Sequence, residues 1–190
     1  MLETTLQQQL LDIAEASIRH GLDYGQALLP KSDKLPAPLR QPGASFVTLK
    51  SRGELRGCIG SLSPRRPLAS DVAENAYAAA FSDTRFPPLR EQELDGLELH
   101  ISILGAAEAM QFASEAQLLE QLRPGTDGLI LEEGLRRGTF LPSVWEQLPR
   151  PELFLRHLKQ KAGLPPDYWS DTLQVSRYTT ESFARTLTQL

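Results

Sequence analysis

The sequence contains one cysteine, Cys58, so no disulfide can form within the chain. No apolar run approaches the ~20 residues that a membrane helix requires. The first residues do not combine a basic segment with a following apolar run, so a secretory signal peptide is not predicted. These absences favour a cytoplasmic protein in which Cys58 is a reduced thiol.

Two further absences limit the functions that the sequence supports. Positive charge is scarce, because 20 Lys and Arg residues stand against 24 Asp and Glu residues, a net charge of −4. Nucleic-acid binders usually concentrate positive charge on one face, so nucleic acid is not an expected partner. His20, His100 and His157 have no metal-ligand spacing, and the glycines match neither a P-loop nor a dinucleotide-binding pattern. The sequence therefore predicts no metal and no cofactor.

The composition is that of an ordinary globular protein. Hydrophobic residues make up 41% of the 190 residues and charged residues 23%, which is enough to build a core without metals or disulfides. Helical and strand patterns are interspersed, and several neighbouring strands have hairpin-length connections. We therefore expect a single α+β domain over residues 1–190. It has antiparallel or mixed sheets flanked by helices, and room for a smaller lobe in the middle of the chain.

Hydrophobic periodicity places the main elements. An amphipathic helix ended by Gly21 is predicted over residues 5–20, and a second helix is predicted over residues 67–82. Strands are predicted at residues 46–50, 97–103 and 173–178. Residues 57–60 contain too much glycine for an ordinary strand, so we expect a glycine-rich loop there.

The leading candidate for a functional centre is the segment Leu55-Arg56-Gly57-Cys58-Ile59-Gly60. Glycine lets a backbone approach a ligand closely and lets successive N–H groups converge on an anion. Together with Arg56, such N–H groups would favour the thiolate of Cys58 and bind an oxyanion, which is what a cysteine nucleophile requires. Alternatively, Cys58 is a small buried hydrophobe, and Gly57 and Gly60 only form a bulge or permit tight packing.

Polar residues on the following helix and loop are the next candidates. Glu74 and Asn75 lie on the second predicted helix, and Asp83 and Arg85 follow it in a loop stiffened by two prolines. Asp83 and Arg85 would hold a ligand or orient a base; alternatively, they form an ion pair and cap the helix. Asn75 is alternatively a hydrogen-bonded, partly buried amide.

His100 and Asp127 complete the set of candidates. His100 lies on the less apolar face of a predicted strand and is the best candidate base for Cys58, unless it only faces solvent. Asp127 precedes Gly128 in a turn signal. It would contribute a carboxylate to a site, although turn formation alone explains it.

Several ordered motifs carry a family resemblance. They are Phe46–Lys50, Leu55–Leu62, Pro67–Ala69, Asp71–Ala76, Asp83–Leu89, Gly125–Leu129, Phe140–Pro142 and Lys161–Leu164. Over about residues 44–169 the chain resembles the AMMECR family, and specifically its bacterial and archaeal branch, called AmmeMemoRadiSam system protein A.

The resemblance implies an α+β fold with two lobes and a cleft near the Arg-Gly-Cys segment. It also implies two partners, a Memo-type protein related to extradiol dioxygenases and a radical SAM enzyme, but no particular reaction. The family pattern leaves out His100, and the residues that it highlights as candidates for a site are Arg56, Gly57, Cys58, Gly60, Glu74, Asn75, Asp83, Arg85 and Asp127.

Two kinds of function are compatible with this pattern. In the first, the protein is an enzyme or an enzyme component with Cys58 as nucleophile, and Glu74, Asp83 or His100 manages protons. In the second, it is a non-catalytic scaffold whose cleft holds a small molecule, a peptide or a partner protein, while Cys58 only packs.

Overall fold

The computed structural model describes residues 1–188, apart from the side chain of Ser32. It divides into two compact units, one made of Met1–Leu104 and the segment from Glu181 onward, the other of Gly105–Thr180. Within the described residues, no helix is both long and apolar enough to span a membrane.

The helices are α1 (Thr4–Tyr24), α2 (Ala37–Arg40), α3 (Leu68–Phe81), α4 (Glu115–Gln121) and α5 (Pro151–Lys161). The strands are β1 (Pro42–Gly43), β2 (Ser45–Ser51), β3 (Glu54–Gly60), β4 (Arg66–Pro67), β5 (Leu97–Leu104), β6 (Glu108–Ala109), β7 (Gly128–Glu133), β8 (Arg136–Phe140), β9 (Gln174–Tyr178) and β10 (Thr180–Thr186).

The first unit is built on a four-stranded sheet in the order β10-β5-β2-β3, with β3 at one edge. Strand β2 pairs antiparallel with both β3 and β5. The connection from β2 to β3 is two residues long, and Arg52 and Gly53 both have positive φ, at 53° and 81°. These angles fit a type I′ turn, whose twist matches that of the strands it joins. The tight turn helps to fix the register, in which Cys58 lies opposite Thr48.

Helices α1 and α3 cover one face of this sheet. Side chains alternate along β2 and β5, and the buried set packs into one core with both helices; it includes Val47, Leu49, Leu99 and Ile101. Five of the nine buried positions in α3 are alanine, so this helix approaches the sheet closely. The opposite face of the sheet carries Thr48 and His100, which are partly exposed.

The second unit has a separate core around a sheet in the order β6-β9-β7-β8. Strands β7 and β8 form an antiparallel hairpin whose turn includes Gly134 at a φ of 59°. The ring of Trp145 stacks on Phe154 of α5, with centroids 3.7 Å apart. Trp145 also donates its indole N–H to the Asp127 carbonyl at 2.7 Å, which ties the turn before β7 to the core.

The structure confirms the predicted α+β class, with antiparallel sheets and flanking helices. Two local predictions were wrong. Gly21 lies inside α1, where its missing side chain leaves room for the ring of Phe81, and the helix ends instead at Tyr24, with Gly25 at a φ of 68° as its C-cap. Residues 57–60 are not a loop but lie in β3. The cleft between two lobes, which the resemblance implies, stays a prediction.

Candidate functional site

A β-bulge in β3 determines the position of Arg56. Leu49 pairs with Gly57 and Lys50 pairs with Leu55, so Arg56 is an extra residue without a counterpart in β2. A bulge takes the side chain of its extra residue out of the regular alternation. Arg56 is consequently only 8% exposed, although it lies on an edge strand.

The Arg56 guanidinium is held by acceptors that follow α3 in the chain. Nε donates to Glu93 Oε1 at 2.8 Å, and Nη2 donates to Glu93 Oε2 at 3.2 Å and to the Pro87 carbonyl at 3.0 Å. The hydrogen bonds from Arg56 hold the pKa of Glu93 below its usual range. The third nitrogen, Nη1, is buried and has no hydrogen-bond partner in the described part of the chain. Such a donor destabilises the fold when unsatisfied, so an acceptor that reached Nη1, through a movement of the side chains that cover it, would stabilise the protein.

An open depression of about 810 Å³ lies beside Arg56, and we call it the Arg56 depression. Leu55, which is 42% exposed, and Phe86 supply apolar surface to its lining. Two arginines and four carboxylates give the lining a net charge of 2 − 4 = −2. These charged residues are Arg52, Glu54, Arg56, Glu93, Asp95 and Glu98.

Cys58 lies on the partly exposed face of the sheet, where its Sγ is 3.2 Å from Thr48 Oγ1. Its backbone groups point outward from the edge strand. The N–H donates to Asp83 Oδ2 at 2.9 Å, and the carbonyl accepts from Arg85 Nη2 at 3.4 Å. Asp83 and Arg85 thus take the place of a neighbouring strand and cap the edge of β3 at Cys58.

Asp83 and Arg85 form a close ion pair. Arg85 donates from Nε to Asp83 Oδ1 at 2.9 Å and from Nη2 to Asp83 Oδ2 at 2.7 Å, and the Asp83 side chain is 5% exposed. The hydrogen bonds from Arg85 hold the pKa of Asp83 far below its usual range, and the hydrogen bonds to Asp83 raise the pKa of Arg85. A carboxylate held so firmly in its ionised form is a weak base. Asp83 therefore orients Arg85 and the Cys58 backbone, and it is poorly suited to accept a proton.

The lowered pKa of Asp83 makes its contribution to stability depend on pH. The contribution is complete above the unfolded-state pKa of ~3.9 and is lost as the pH falls from there through the lower folded-state pKa. At pH 7, Asp83→Asn is expected to lower the free energy of unfolding by about 1–3 kcal/mol. Urea unfolding of both proteins between pH 7 and pH 3 should show the difference in free energy of unfolding between wild type and Asp83→Asn becoming about 1 kcal/mol smaller at pH 3. A deficit that stays constant with pH would contradict an ionised Asp83.

His100 does not lie beside Cys58. Thr48 pairs with Cys58 on one side and with His100 on the other, so two strand spacings, roughly 10 Å, separate the two backbones. His100 Nε2 instead lies 3.2 Å from Glu98 Oε2. A general base must reach its proton at about 3 Å or through one water. The geometry therefore does not support His100 as a direct base for Cys58.

Glu74 and Asn75 belong to a different cluster, a buried network centred on Asp71. Asp71 is 1% exposed and accepts five hydrogen bonds. The donors are Ser45 N–H at 2.8 Å, Ser45 Oγ at 2.7 Å, Asn75 Nδ2 at 2.9 Å, Ser61 Oγ at 2.7 Å and Arg66 Nε at 2.9 Å. Arg66 also pairs with Glu74. The network fastens the start of β2 and the segment after β3 to α3, which supports the reading of Asn75 as a hydrogen-bonded amide.

Packing accounts for Gly57 and Gly60. A Cβ at Gly57 would lie 2.0 Å from the carbonyl oxygen of Ala79 in α3, and a Cβ at Gly60 would lie 2.2 Å from the ring of Phe46. Gly57 thus lets α3 contact β3, and Gly60 makes room for an aromatic ring. These contacts support the interpretation that both glycines permit close packing.

Asp127 lies in the second unit, whereas the other predicted site residues lie in the first. It is fully buried and accepts hydrogen bonds from Arg123 N–H at 3.0 Å, Nε at 2.9 Å and Nη2 at 2.6 Å. These bonds close the turn that leads into β7. Turn formation therefore explains Asp127 without a ligand.

The residues that sequence analysis missed are partners of predicted ones. Asp71 precedes Asn75 by four positions on one helix, a spacing that brings side chains together and was the available signal. Glu93 had no such signal, because it lies 37 positions from Arg56. Over residues 1–188, no three or more His, Cys, Asp or Glu side chains are placed to hold a metal ion.

The fold and the site define a two-unit α+β protein in which an edge strand carries an Arg-Gly-Cys sequence and an Asp-Arg pair caps that edge. The sequence profile of the AMMECR1 family matches residues 11–183. This chain belongs to the AMMECR1 family.

The relatives cover most of the chain. A protein from Methanothermobacter thermautotrophicus is 39% identical over 180 residues, which are 92% of this chain and 91% of the relative. Protein MJ0810 from Methanocaldococcus jannaschii is 40% identical over 159 residues, 80% and 77% of the two chains. The crystal structure of uncharacterized protein PH0010 from Pyrococcus horikoshii has a TM-score of 0.86 and 33% identity, covering 94% of this chain and 91% of that one. None of these names states an activity.

Proposed function

We propose that this protein is a binding component, not a self-sufficient catalyst, and that it engages its ligand at the Arg56 depression. The proposal depends on the Arg56 guanidinium, which lines the depression and has one buried nitrogen without an acceptor among residues 1–188. Nearly all buried polar groups in folded proteins are hydrogen-bonded. A ligand oxygen that reached Nη1, through a movement of the side chains that cover it, would satisfy this donor, so binding is the function that the geometry supports best.

The surroundings of Cys58 favour binding over catalysis by this chain alone. A cysteine nucleophile is usually activated by an adjacent base. Asp83 is held ionised by Arg85, Glu74 pairs in the Asp71 network, and His100 lies two strands away from Cys58. The three residues suggested as proton carriers are thus committed elsewhere or out of reach.

The partners in this proposal are those that the family resemblance implies, a Memo-type protein and a radical SAM enzyme in the cytoplasm. A protein that binds without catalysing would hold a ligand for such enzymes or hold the enzymes together. The fixed cap formed by Asp83 and Arg85 suits this role, because pre-ordered side chains lose little conformational entropy on binding.

Covalent chemistry at Cys58 is a second candidate function, favoured by one contact. Arg85 Nη2 lies 3.4 Å from the Cys58 carbonyl, and the pKa of Arg85 is raised mainly by its hydrogen bonds to Asp83 and to a smaller extent by an electrostatic interaction with Cys58. A guanidinium beside a cysteine favours its thiolate. In this case the chain is an enzyme component, and a partner supplies the missing base.

Calorimetric titration with the purified Memo-type and radical SAM proteins of the same organism tests the proposal. Arg56→Lys keeps a cation for Glu93 but removes Nη1, and it is expected to weaken binding at least tenfold, because a hydrogen bond to a charged group contributes ~1.5–3 kcal/mol. Arg90→Lys is the matched control. Arg90 also contacts Glu93, at 3.5 Å, but its side chain is 71% exposed and does not line the depression.

Three outcomes would contradict the proposal or redirect it. If the wild-type protein binds neither partner, the proposed partners are wrong. If Arg56→Lys folds and binds as tightly as wild type, the Arg56 depression does not take part in the interaction. A reconstituted pathway that stops with Cys58→Ser, while binding is unchanged, favours the second candidate. If Arg56→Lys does not fold, Glu54→Lys takes its place in the titration. Glu54 is exposed and lines the depression, so this variant reverses one charge of the lining.

A further inference from the structure

We infer that a depression in the second unit binds a proline-containing peptide segment in the polyproline II conformation. The depression has a volume of about 660 Å³, and we call it the Trp169 depression. Its lining lies within residues 109–113 and 169–176, all of which belong to the second unit. The inference goes beyond the proposed function, because none of these residues lines the Arg56 depression.

Two aromatic rings line part of the Trp169 depression. The rings of Phe112 and Trp169 have centroids 5.7 Å apart and are tilted by 59° to each other. Each packs partly against the core of the second unit and remains partly exposed. The ammonium group of Lys159, bonded to Glu115 at 2.7 Å, lies 5.8 Å from the Trp169 ring centroid. These contacts hold the ring in place before a ligand arrives, which limits the entropy lost on binding.

Small side chains leave room beside the two rings. Ala109 of β6 pairs with Ser176 of β9, so their side chains share one face of the sheet, and Gln174 lies on that face two positions away. Val175, between Gln174 and Ser176, belongs to the core instead. The volume of the depression falls within the ~300–1,000 Å³ of known ligand pockets. A compact apolar ring therefore has space beside Trp169.

The polar groups of the lining are available to a ligand. Among residues 1–188, the indole N–H of Trp169 has no hydrogen-bond acceptor, and it is open to solvent. The indole N–H of Trp145, in contrast, is bonded to the Asp127 carbonyl. The exposed side-chain amides of Gln111 and Gln174 also make no hydrogen bond within the described part of the chain. Ligand carbonyls can thus accept from these N–H groups without any rearrangement of the protein.

The charges of the lining favour a neutral ligand. The lining residues include no lysine or arginine and one acidic residue, Asp171. Phosphates and nucleic acids depend on basic side chains, which this lining lacks. A cation would compete for the ring of Trp169 with Lys159, which already makes that contact. A neutral ligand with apolar rings and oxygen acceptors is the remaining match.

A proline-containing peptide has both of these features. Its polyproline II backbone makes no internal hydrogen bonds, so its carbonyls are free to accept from an indole or amide N–H. Aromatic-lined grooves recognise such segments in other proteins, and the preformed conformation lowers the entropy cost of binding. A neutral sugar also offers ring faces and hydroxyl groups. Rings tilted by 59° do not form one flat platform, however, so they suit the compact ring of proline better than the broad face of a sugar.

Titrations followed by the NMR signals of the two tryptophan indoles test the inference. The probe is acetylated, amidated Ser-Pro-Pro-Pro-Pro-Ser; its control peptide has four alanines in place of the prolines, and maltose is the third ligand. The proline peptide should give saturable shifts of the Trp169 indole N–H at millimolar concentration. The alanine peptide should bind at least fivefold more weakly. The Trp145 indole N–H, bonded inside the second unit, is the internal reference and should not shift.

Two variants assign the contacts, with binding measured at the backbone amides of Gln174 and Ser176. Trp169→Phe keeps a ring but removes the indole N–H, and it should weaken the proline peptide about threefold to tenfold, the effect of one hydrogen bond. Ala109→Phe fills the depression from an exposed strand position and should abolish saturable binding. Tyr24→Phe, which removes the hydroxyl of an exposed ring in the first unit, is the matched control.

Equal binding of the proline and alanine peptides would overturn the inference by removing the role of the proline rings. Maltose that binds more tightly than the proline peptide would overturn it in favour of a sugar site. It would also be overturned by the absence of a shift with any ligand, or by unchanged binding to folded Ala109→Phe. If Trp169→Phe does not fold, Ala109→Phe decides between the outcomes. The proposed function is measured separately with the partner proteins and Arg56→Lys, so either can fail without the other.

Discussion

Replacing Gly57 with alanine is expected to lower the free energy of unfolding by about 3 kcal/mol, the upper end for overpacking in a core. The new Cβ would stand 2.0 Å from the carbonyl oxygen of Ala79 and 3.0 Å from its carbonyl carbon. Both atoms belong to the backbone of α3, so no side-chain rotation relieves the clash. Either α3 or β3 must move, and both are packed in the core of the first unit. Urea denaturation followed by circular dichroism measures the change.

Gly53→Asn is the control for this prediction. Gly53 has a φ of 81°, and beyond its two chain neighbours no described atom lies within 4 Å of the position of an added Cβ. Asparagine tolerates positive φ better than most residues, so we expect a loss below about 1 kcal/mol. If Gly57→Ala were as stable as Gly53→Asn, the close approach of α3 to β3 would not require glycine. A ligand role for Gly57 would then become the better explanation.

Replacing Asp71 with alanine is expected to destabilise the protein by about 3–5 kcal/mol, because it leaves several buried donors unsatisfied at about 1–3 kcal/mol each. The substitution removes one acceptor group from five donors at once, including the Ser45 backbone N–H and the Arg66 guanidinium. Unsatisfied buried donors retain their full desolvation cost. Thermal and urea unfolding of Asp71→Ala should therefore show a large decrease in stability with little change in the surface properties of the protein.

Glu74→Gln separates the buried acceptor from the exposed one in the same network. The Glu74 side chain is 40% exposed, whereas that of Asp71 is 1% exposed, although both pair with Arg66. Exposed ion pairs contribute up to about 1 kcal/mol, so Glu74→Gln should remain close to wild type. If Asp71→Ala and Glu74→Gln lost comparable free energy of unfolding, the ion pairs of Arg66 would contribute more to stability than the buried hydrogen bonds of Asp71.

The elements predicted most accurately are those with strong periodicity. Strict alternation placed the strand that the structure has at Leu97–Leu104, and helical spacing placed the helix at Leu68–Phe81. Both patterns reflect a core on one side and solvent or less apolar surface on the other. Residues 57–60 were predicted incorrectly, because glycine has low strand propensity and the helix that packs against Gly57 cannot be read from local sequence.

The sequence predicted the candidate site as one set of residues, and in the structure these residues lie in several separate clusters. Arg56 faces Glu93, Cys58 contacts Asp83 and Arg85, and Asn75 belongs to the Asp71 network. Local sequence indicated the nearest pairings, such as Asp83 with Arg85 two positions later. It did not indicate the pairings between elements, because those depend on strand register and on the bulge at Arg56.

The sequence by itself determined the α+β class, the approximate positions of the main helices and strands, the absence of an internal disulfide and the family motifs. These follow from composition, local periodicity and short-range spacing. Only the tertiary structure decided that the guanidinium of Arg56 meets Glu93, 37 positions away, and that the N–H of Cys58 meets Asp83, 25 positions away. The physical reason is that the two members of each pair lie on different elements. Their approach is set by the register of β2 with β3, which leaves Arg56 as an extra residue, and by the packing of α3 against Gly57.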